Sequence, residues 1–344
     1  MAEFIRRAQR PDGTGRFARR AQRLGGRAAD VLEQVSRPAR NLGFPYRRPT
    51  VPRGVSIPEE TSGLGAHYDT EWARRPAATV ARAAIVEGPL RLATHVVTSP
   101  EILGRDRLAD LAALDEPPPV IFAPTHHSHL DTGLVISAVP RPWRQDLVVA
   151  AAADYFFDKQ WKAALSALAL NAIPIDRDST GRRSADLARD LIEDGYSLVI
   201  YPEGGRSPDG WGQEFRGGAA YLSARTGAPV VPVFIDGTGA IFGKGMTRPR
   251  LGRTRVVFGT PLVAVDGEST RRFNARIERA VTMLGDESTT DYWTSLRRDA
   301  DGASPPLTGP DYAGWRRDWA LSEQRRRRTT GLRRRRTRSW PNLG

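Results

Sequence analysis

The chain has no cysteine, only five histidines and only three lysines among its 52 basic side chains, and each shortage removes a class of function. Without thiols there is no disulfide framework, no cysteine nucleophile and no thiolate metal site, a composition that suits a reducing cytoplasm. No apolar run approaches the ~18 residues of a membrane-spanning helix, so none is expected. The opening Met1-Ala2-Glu3-Phe4-Ile5-Arg6-Arg7 lacks an apolar core, which argues against a signal peptide. The excess of Arg over Lys, alongside abundant Ala and Gly, reads as GC-rich coding rather than selection for forked anion contacts.

The net charge of +13 is spread unevenly. Residues 1–55 hold 13 Arg against 4 acids, and residues 316–344 hold 11 Arg against 2, which leaves the body between them at −5. Basic ends attract anionic surfaces, whether lipid, polynucleotide or acidic protein. Pro and Gly are dense in residues 36–65, so residues 1–65 read as a basic, mostly disordered arm. Residues 66–105 read as an amphipathic segment. Val80, Ile85, Leu90, Leu92, Val96 and Val97 form apolar stripes there, and Gly88-Pro89 is expected to split them into two short helices able to lie on a membrane. Beyond Thr289 the periodicity fails, and residues 291–344 read as an Arg-rich tail with interleaved Trp315, Trp319 and Trp340.

Between these ends the pattern alternates. Strand-like runs occur at Val120–Ala123, Leu147–Ala151, Ala172–Ile175, Leu198–Tyr201, Pro229–Ile235 and Thr254–Phe258. Helical patterns fall at Asp154–Leu170, Thr180–Asp194, Gly218–Thr226 and around Phe273–Leu284. This rhythm predicts an α/β fold over residues 106–290: one domain with a largely parallel or mixed central sheet flanked by helices. Loops at the carboxyl ends of such strands gather the site. His126, Arg177 and Glu203–Ser207 all follow strands.

Three of the five histidines, His126, His127 and His129, crowd one strand-to-helix turn. Three readings compete there. Ser128 and Asp131, three apart, have capping-box spacing, with Ser128 as N-cap; that leaves the histidines unexplained. His127, His129 and Asp131 have metal-ligand spacing, as in a metal-dependent hydrolase, but Thr132 stands where a further His is needed and no His follows. In the third reading, Asp131 reaches back from the first helical turn to orient His126 as a general base.

Further along come Ile173-Pro174-Ile175-Asp176-Arg177, then Tyr201-Pro202-Glu203-Gly204-Gly205-Arg206-Ser207, then Val231-Pro232. With His126, Ser128 and Asp131 these make four ordered blocks within about residues 115–260, and on them the chain resembles the glycerolipid acyltransferases, that is, the lysophosphatidic acid and glycerol-3-phosphate acyltransferases. Their pattern runs Asn-His-x-Ser-x-x-Asp, a segment ending in Arg, Phe-Pro-Glu-Gly-Thr-Arg-Ser, and an apolar Val-Pro strand. The resemblance implies transfer of an acyl group from acyl-CoA or acyl-carrier protein to the hydroxyl of a lysophospholipid such as 1-acyl-glycerol-3-phosphate, in phospholipid biosynthesis, with no cofactor beyond the donor. His126 is then the base and Asp131 its brace. Arg177 and Arg206 clamp the acceptor phosphate, Gly204 and Gly205 let backbone approach it, and Glu203 and Arg216 complete the acceptor site. Free amides of the helix start are expected to support the oxyanion. The implied setting is an anionic membrane surface, met peripherally on its cytoplasmic face. Two residues depart from the pattern: Thr125 replaces Asn, and Gly205 replaces Thr. His127 and His129 have no role by resemblance and are expected at the surface. Nucleic-acid binding by the Arg-rich ends is the remaining alternative, although no specific nucleic acid is expected.

Overall fold

The computed structural model describes Gly65, residues 68–175 and residues 182–309. Expectations for the arm, for Arg177 and for the tail beyond residue 309 lie outside the described residues. The chain enters through helix α1 (Pro76–Ile85), a π turn (Val86–Leu90) and helix α2 (Arg91–Thr98). Gly88-Pro89 does not end the helix as expected. The wider π turn accommodates the ring of Pro89, which has no N–H to give and would clash in a tighter turn.

Seven strands follow among the described residues: β1 (Pro100–Leu103), β2 (Ile121–Pro124), β3 (Leu147–Ala152), β4 (Ala172–Ile175), β5 (Ser197–Val199), β6 (Val230–Asp236) and β7 (Thr254–Phe258). They form one sheet in the order β1-β7-β6-β2-β5-β3-β4, parallel at every pairing except β6 with β7. The longer helices are α3 (Asp131–Ala138), α4 (Gln160–Leu170), α5 (Arg182–Glu193), α6 (Gly218–Thr226), the short α7 (Thr238–Phe242), α8 (Thr270–Thr289) and α9 (Tyr292–Ala300). Three of these elements, β1, α7 and α9, were not anticipated. The edge strand β1 begins at a proline and is only four residues long. Helix α9 lies where the periodicity was read as failing. Asp291 caps it by accepting from the N–H groups of Trp293 (2.9 Å) and Thr294 (3.0 Å).

The central strands are apolar on both faces because both faces are covered. Val120, Phe122, Val199 and Val231 point to one side, where Leu134 and Val135 of α3 meet them. Ile121, Ala123, Leu198 and Val230 point to the other, against Ala188 and Leu191 of α5, Ala219 and Leu222 of α6, and Phe273 and Ile277 of α8. This period-two division buries β2 and β5 side by side at the centre. Five parallel strands therefore end on the same edge, and the segments after β2, β3, β5 and β6 open there together.

Thr125, standing where the resemblance has Asn, continues this order just past β2. Its hydroxyl accepts from the N–H of Ile235 at 3.0 Å and faces the same residue's carbonyl at 3.4 Å, and the side chain is buried. Thr125→Val keeps the shape but leaves a buried N–H unpaired. Urea denaturation should show a loss of about 1–3 kcal/mol.

Candidate active site

At the sheet edge, His126 Nδ1 lies 2.9 Å from Asp131 Oδ2. The same oxygen accepts from the backbone N–H of His127 at 2.7 Å and of Ser128 at 2.8 Å. Asp131 is fully buried, and its other oxygen, Oδ1, has no hydrogen-bond partner. With Nδ1–H donated to a carboxylate, the lone pair of the imidazole sits on Nε2, and that nitrogen has no partner among the described residues. Asp131 thus folds the turn around itself and presents a single nitrogen of His126 outward. Tyr201 backs the imidazole: the rings stack at 4.0 Å between centroids and 24° between planes, and the Tyr201 hydroxyl lies 2.9 Å from Thr132 Oγ1 on α3. Burial raises the Tyr201 phenol well above its ordinary pKa, so it stays neutral and works as a rigid face.

The turn after β5 is tied to the turn after β2 by two bonds. Glu203 Oε1 accepts from the N–H of His126 at 2.8 Å, and the N–H of Ser207 donates to the His126 carbonyl at 2.8 Å. Glu203 Oε2 accepts from the N–H of Gln213 at 3.0 Å, and Glu203 is almost wholly buried. The carboxylate expected in the acceptor site therefore also holds two backbone segments together. Gly204 has a positive φ of 69°, and a Cβ there would stand 2.6 Å from Arg216 Nε, so this position needs glycine. Arg216 lies exposed beneath that turn. Gly205, by contrast, has open space where a Cβ would project.

Arg206 reaches over the ring of Tyr155, which follows β3, with Cζ 5.8 Å from the centroid. His129 stacks on the same ring at 5.4 Å and meets Phe242 of α7 at 5.6 Å. His129 and His127 are both partly buried, not surface residues as expected, because aromatic neighbours and α7 close over the turn. The residue after α7, Gly243, bridges Ser128, whose hydroxyl donates to the Phe242 carbonyl at 2.7 Å. Ser128 is therefore a tie between loops rather than the expected N-cap. Lys244 follows, close enough to Arg206 that the guanidinium, after burial, lowers its pKa. Burial likewise lowers the pKa of Arg206, against the pull of Tyr155 and Asp131. Arg206 and Lys244 form no ion pair among the described residues.

The donors around Asp131 bear on two of the readings above. The amides of His127 and Ser128 are taken by Asp131, and that of Leu130 by Ser128 Oγ at 3.1 Å, so the oxyanion does not fall to them. The metal reading meets an Asp131 oxygen already filled by three donors, and among the described residues no cluster of three or more His, Asp or Glu stands ready for an ion. The sequence reading missed Tyr155, Tyr201 and Lys244. Tyr201 sits in the Phe position of the third block, where an aromatic is expected, and could have been marked; the other two carry no local signal.

A family described as Acyltransferase matches residues 106–236. Over that stretch the chain is similar to acyltransferases. A chloroplastic 1-acyl-sn-glycerol-3-phosphate acyltransferase, BAT2 of Brassica napus, is 45% identical over 56 residues, 16% of each chain. A 1-acyl-sn-glycerol-3-phosphate acyltransferase of Cocos nucifera is 29% identical over 121 residues, 35% of this chain and 39% of that one. The chain thus spans well under half the length of these curated relatives. The crystal structure of PlsC, the 1-acyl-sn-glycerophosphate acyltransferase of Thermotoga maritima, aligns over 64% of this chain and 83% of that one, with 21% identity and a TM-score of 0.47.

His129 offers a spectroscopic check on this geometry. Burial first, then the cations of Arg206 and His126, lower its pKa from an ordinary 6.5 to about 4. The unfolded chain therefore binds a proton at His129 before the folded one does, and stability contributed by the neutral ring is lost as pH falls from about 6.5 towards about 4. A proton NMR titration should place the His129 inflection near pH 4. Arg206→Gln should move it upward.

Proposed function

We propose that this protein moves an acyl group from a thioester, acyl-CoA or acyl-carrier protein, to the hydroxyl of a phosphorylated glycerolipid such as 1-acyl-glycerol-3-phosphate. The observation that carries this reading is the His126 imidazole, held through Nδ1 by a buried carboxylate, with Nε2 left without a partner among the described residues. The names of the curated relatives agree with it.

In this reading Nε2 takes the proton of the acceptor hydroxyl as its oxygen attacks the thioester carbonyl. The tetrahedral intermediate collapses with cleavage of the C–S bond, and the imidazolium returns its proton to the departing sulfur. Asp131 keeps the ring in the correct tautomer and offsets its charge while it is cationic. Such a base contributes ~10²–10⁴ in rate. No enzyme nucleophile is needed.

Arg206 and Lys244 hold the acceptor phosphate, with Arg177 as a further clamp by resemblance. A guanidinium supplies a forked pair of donors and an ammonium a compact charge. Gly204 and Gly205 let backbone come close, and Glu203 acts by holding the His126 segment in place. Arg216 supports Gly204 from below. The setting is the cytoplasmic face of an anionic membrane, in phospholipid biosynthesis. Among the described residues no helix is long and apolar enough to cross a membrane.

A donor-by-acceptor assay on the purified full chain tests the reading. His126→Ala should remain folded and lose at least about 10²-fold in kcat. Equal acylation by the variant would end the proposal. Arg206→Gln should raise the acceptor KM about tenfold or more, the loss of one charge-assisted contact. Gly205→Thr meets no neighbour, so it should fold as stably as wild type while changing the ranking of acceptor headgroups.

A further inference from the structure

The site above lies at the start of α3; the other end of the same helix, seven residues and ~10 Å along, faces a cavity of about 390 Å³. Its lining is Arg91, Arg105, Ala112, Pro140, Arg141 and Arg144. Part of this charge is structural. Arg105 gives two bonds to the Ala138 carbonyl, at 3.0 and 2.7 Å, and Arg144 gives two to the Val139 carbonyl, at 3.0 and 2.8 Å. Cations there satisfy the last carbonyls of α3 and its negative dipole end. One carboxylate, Glu87, joins the group, bonded to Arg144 at 2.7 Å and to Arg91 at 3.1 Å.

Capping accounts for two guanidinium groups and Glu87 offsets one charge. Four guanidinium groups around one carboxylate leave an uncompensated surplus, and Arg141 has no partner among the described residues. Arg144 is almost fully buried, so its charge is not dispersed into water. The crowding is felt within the cluster: burial and the neighbouring Arg144 and Arg91 lower the pKa of Arg105. Guanidinium groups lining a cavity of this size match the oxygens of a phosphate.

We infer that the cavity between Arg91, Arg105, Arg141 and Arg144 is a second anion site, separate from the His126 centre, that takes a phosphate group. Two sources share this chemistry, free phosphate and a lipid headgroup. Leu92 and Val96, on the helix that carries Arg91, are 67% and 57% exposed, so α2 also offers apolar side chains to the acyl region of a lipid. The inference does not depend on the acyl-transfer reading.

The test is hydrogen exchange by mass spectrometry on the full-length protein at amides 86–92 and 137–146. Three additions are compared at constant ionic strength: inorganic phosphate, phosphatidylcholine vesicles, and phosphatidylcholine vesicles with phosphatidic acid. Arg91→Gln/Arg141→Gln removes the two exposed guanidinium groups and keeps both caps. Arg206→Gln serves as the control for the catalytic edge.

Slower exchange of these amides with phosphate or with phosphatidic acid vesicles, retained in Arg206→Gln and weakened about tenfold or more in the double variant, is the expected result. Protection by inorganic phosphate assigns a soluble ligand. Protection only by phosphatidic acid vesicles assigns the headgroup. Absence of protection in every arm overturns the inference, and so does protection that survives in the double variant. Loss of acyl transfer in His126→Ala bears only on the catalytic reading, so the two proposals fail separately.

Discussion

One oxygen atom, Oδ2 of Asp131, organises the functional edge of this protein. It collects the imidazole and two backbone N–H groups within 2.9 Å while the carboxylate is fully buried. A buried carboxylate is costly unless its neighbours replace water, and three donors on one oxygen do so. The partner oxygen is left without a bond, at a cost of about 1–3 kcal/mol. Because backbone and side chain converge on the same atom, the turn cannot relax without moving His126. The rest of the edge is fitted to that constraint.

The fold supplies the fitting through the central position of β2 and β5. Adjacent parallel strands release their chains side by side, and Glu203 ties the two exits together by accepting from both His126 and Gln213. Tyr201 fills the space behind the ring, anchored to Thr132 on α3, so one helix holds both Asp131 and the support for its partner. The cations come from elsewhere: Arg206 from the loop after β5, Lys244 from beyond α7. The flexible ammonium and the forked guanidinium arrive from separate segments, and neither has an ion-pair partner among the described residues.

Much of this could be read from the residues. Short apolar runs bounded by turn residues marked six of the seven strands, and Ala172–Ile175 and Thr254–Phe258 fall as expected because both begin and end at sharp polarity changes. His126 with Asp131, and Glu203 with its glycines, are local patterns that carry their own chemistry. What escaped was tertiary. β1 is an edge strand with a partly exposed, proline-led sequence that makes sense only beside β7. Gly88-Pro89 looks like a stop, yet a π turn absorbs it. Tyr155 joins the site through a ring stack and Lys244 through its neighbour Gly243, which bridges Ser128, and the Arg cavity is assembled from three separate segments. No spacing within one segment announces such meetings.

The central claim is that Asp131 acts only through His126, and a double-mutant cycle on acyl transfer tests it most directly. Stability of each variant is checked by urea denaturation, and single-turnover rates are measured for His126→Ala, Asp131→Asn and both together. If the carboxylate works by bracing the imidazole, Asp131→Asn is severely slowed, and adding it to His126→Ala slows the reaction no further. A double variant slower than His126→Ala by the full factor of Asp131→Asn alone would contradict the account.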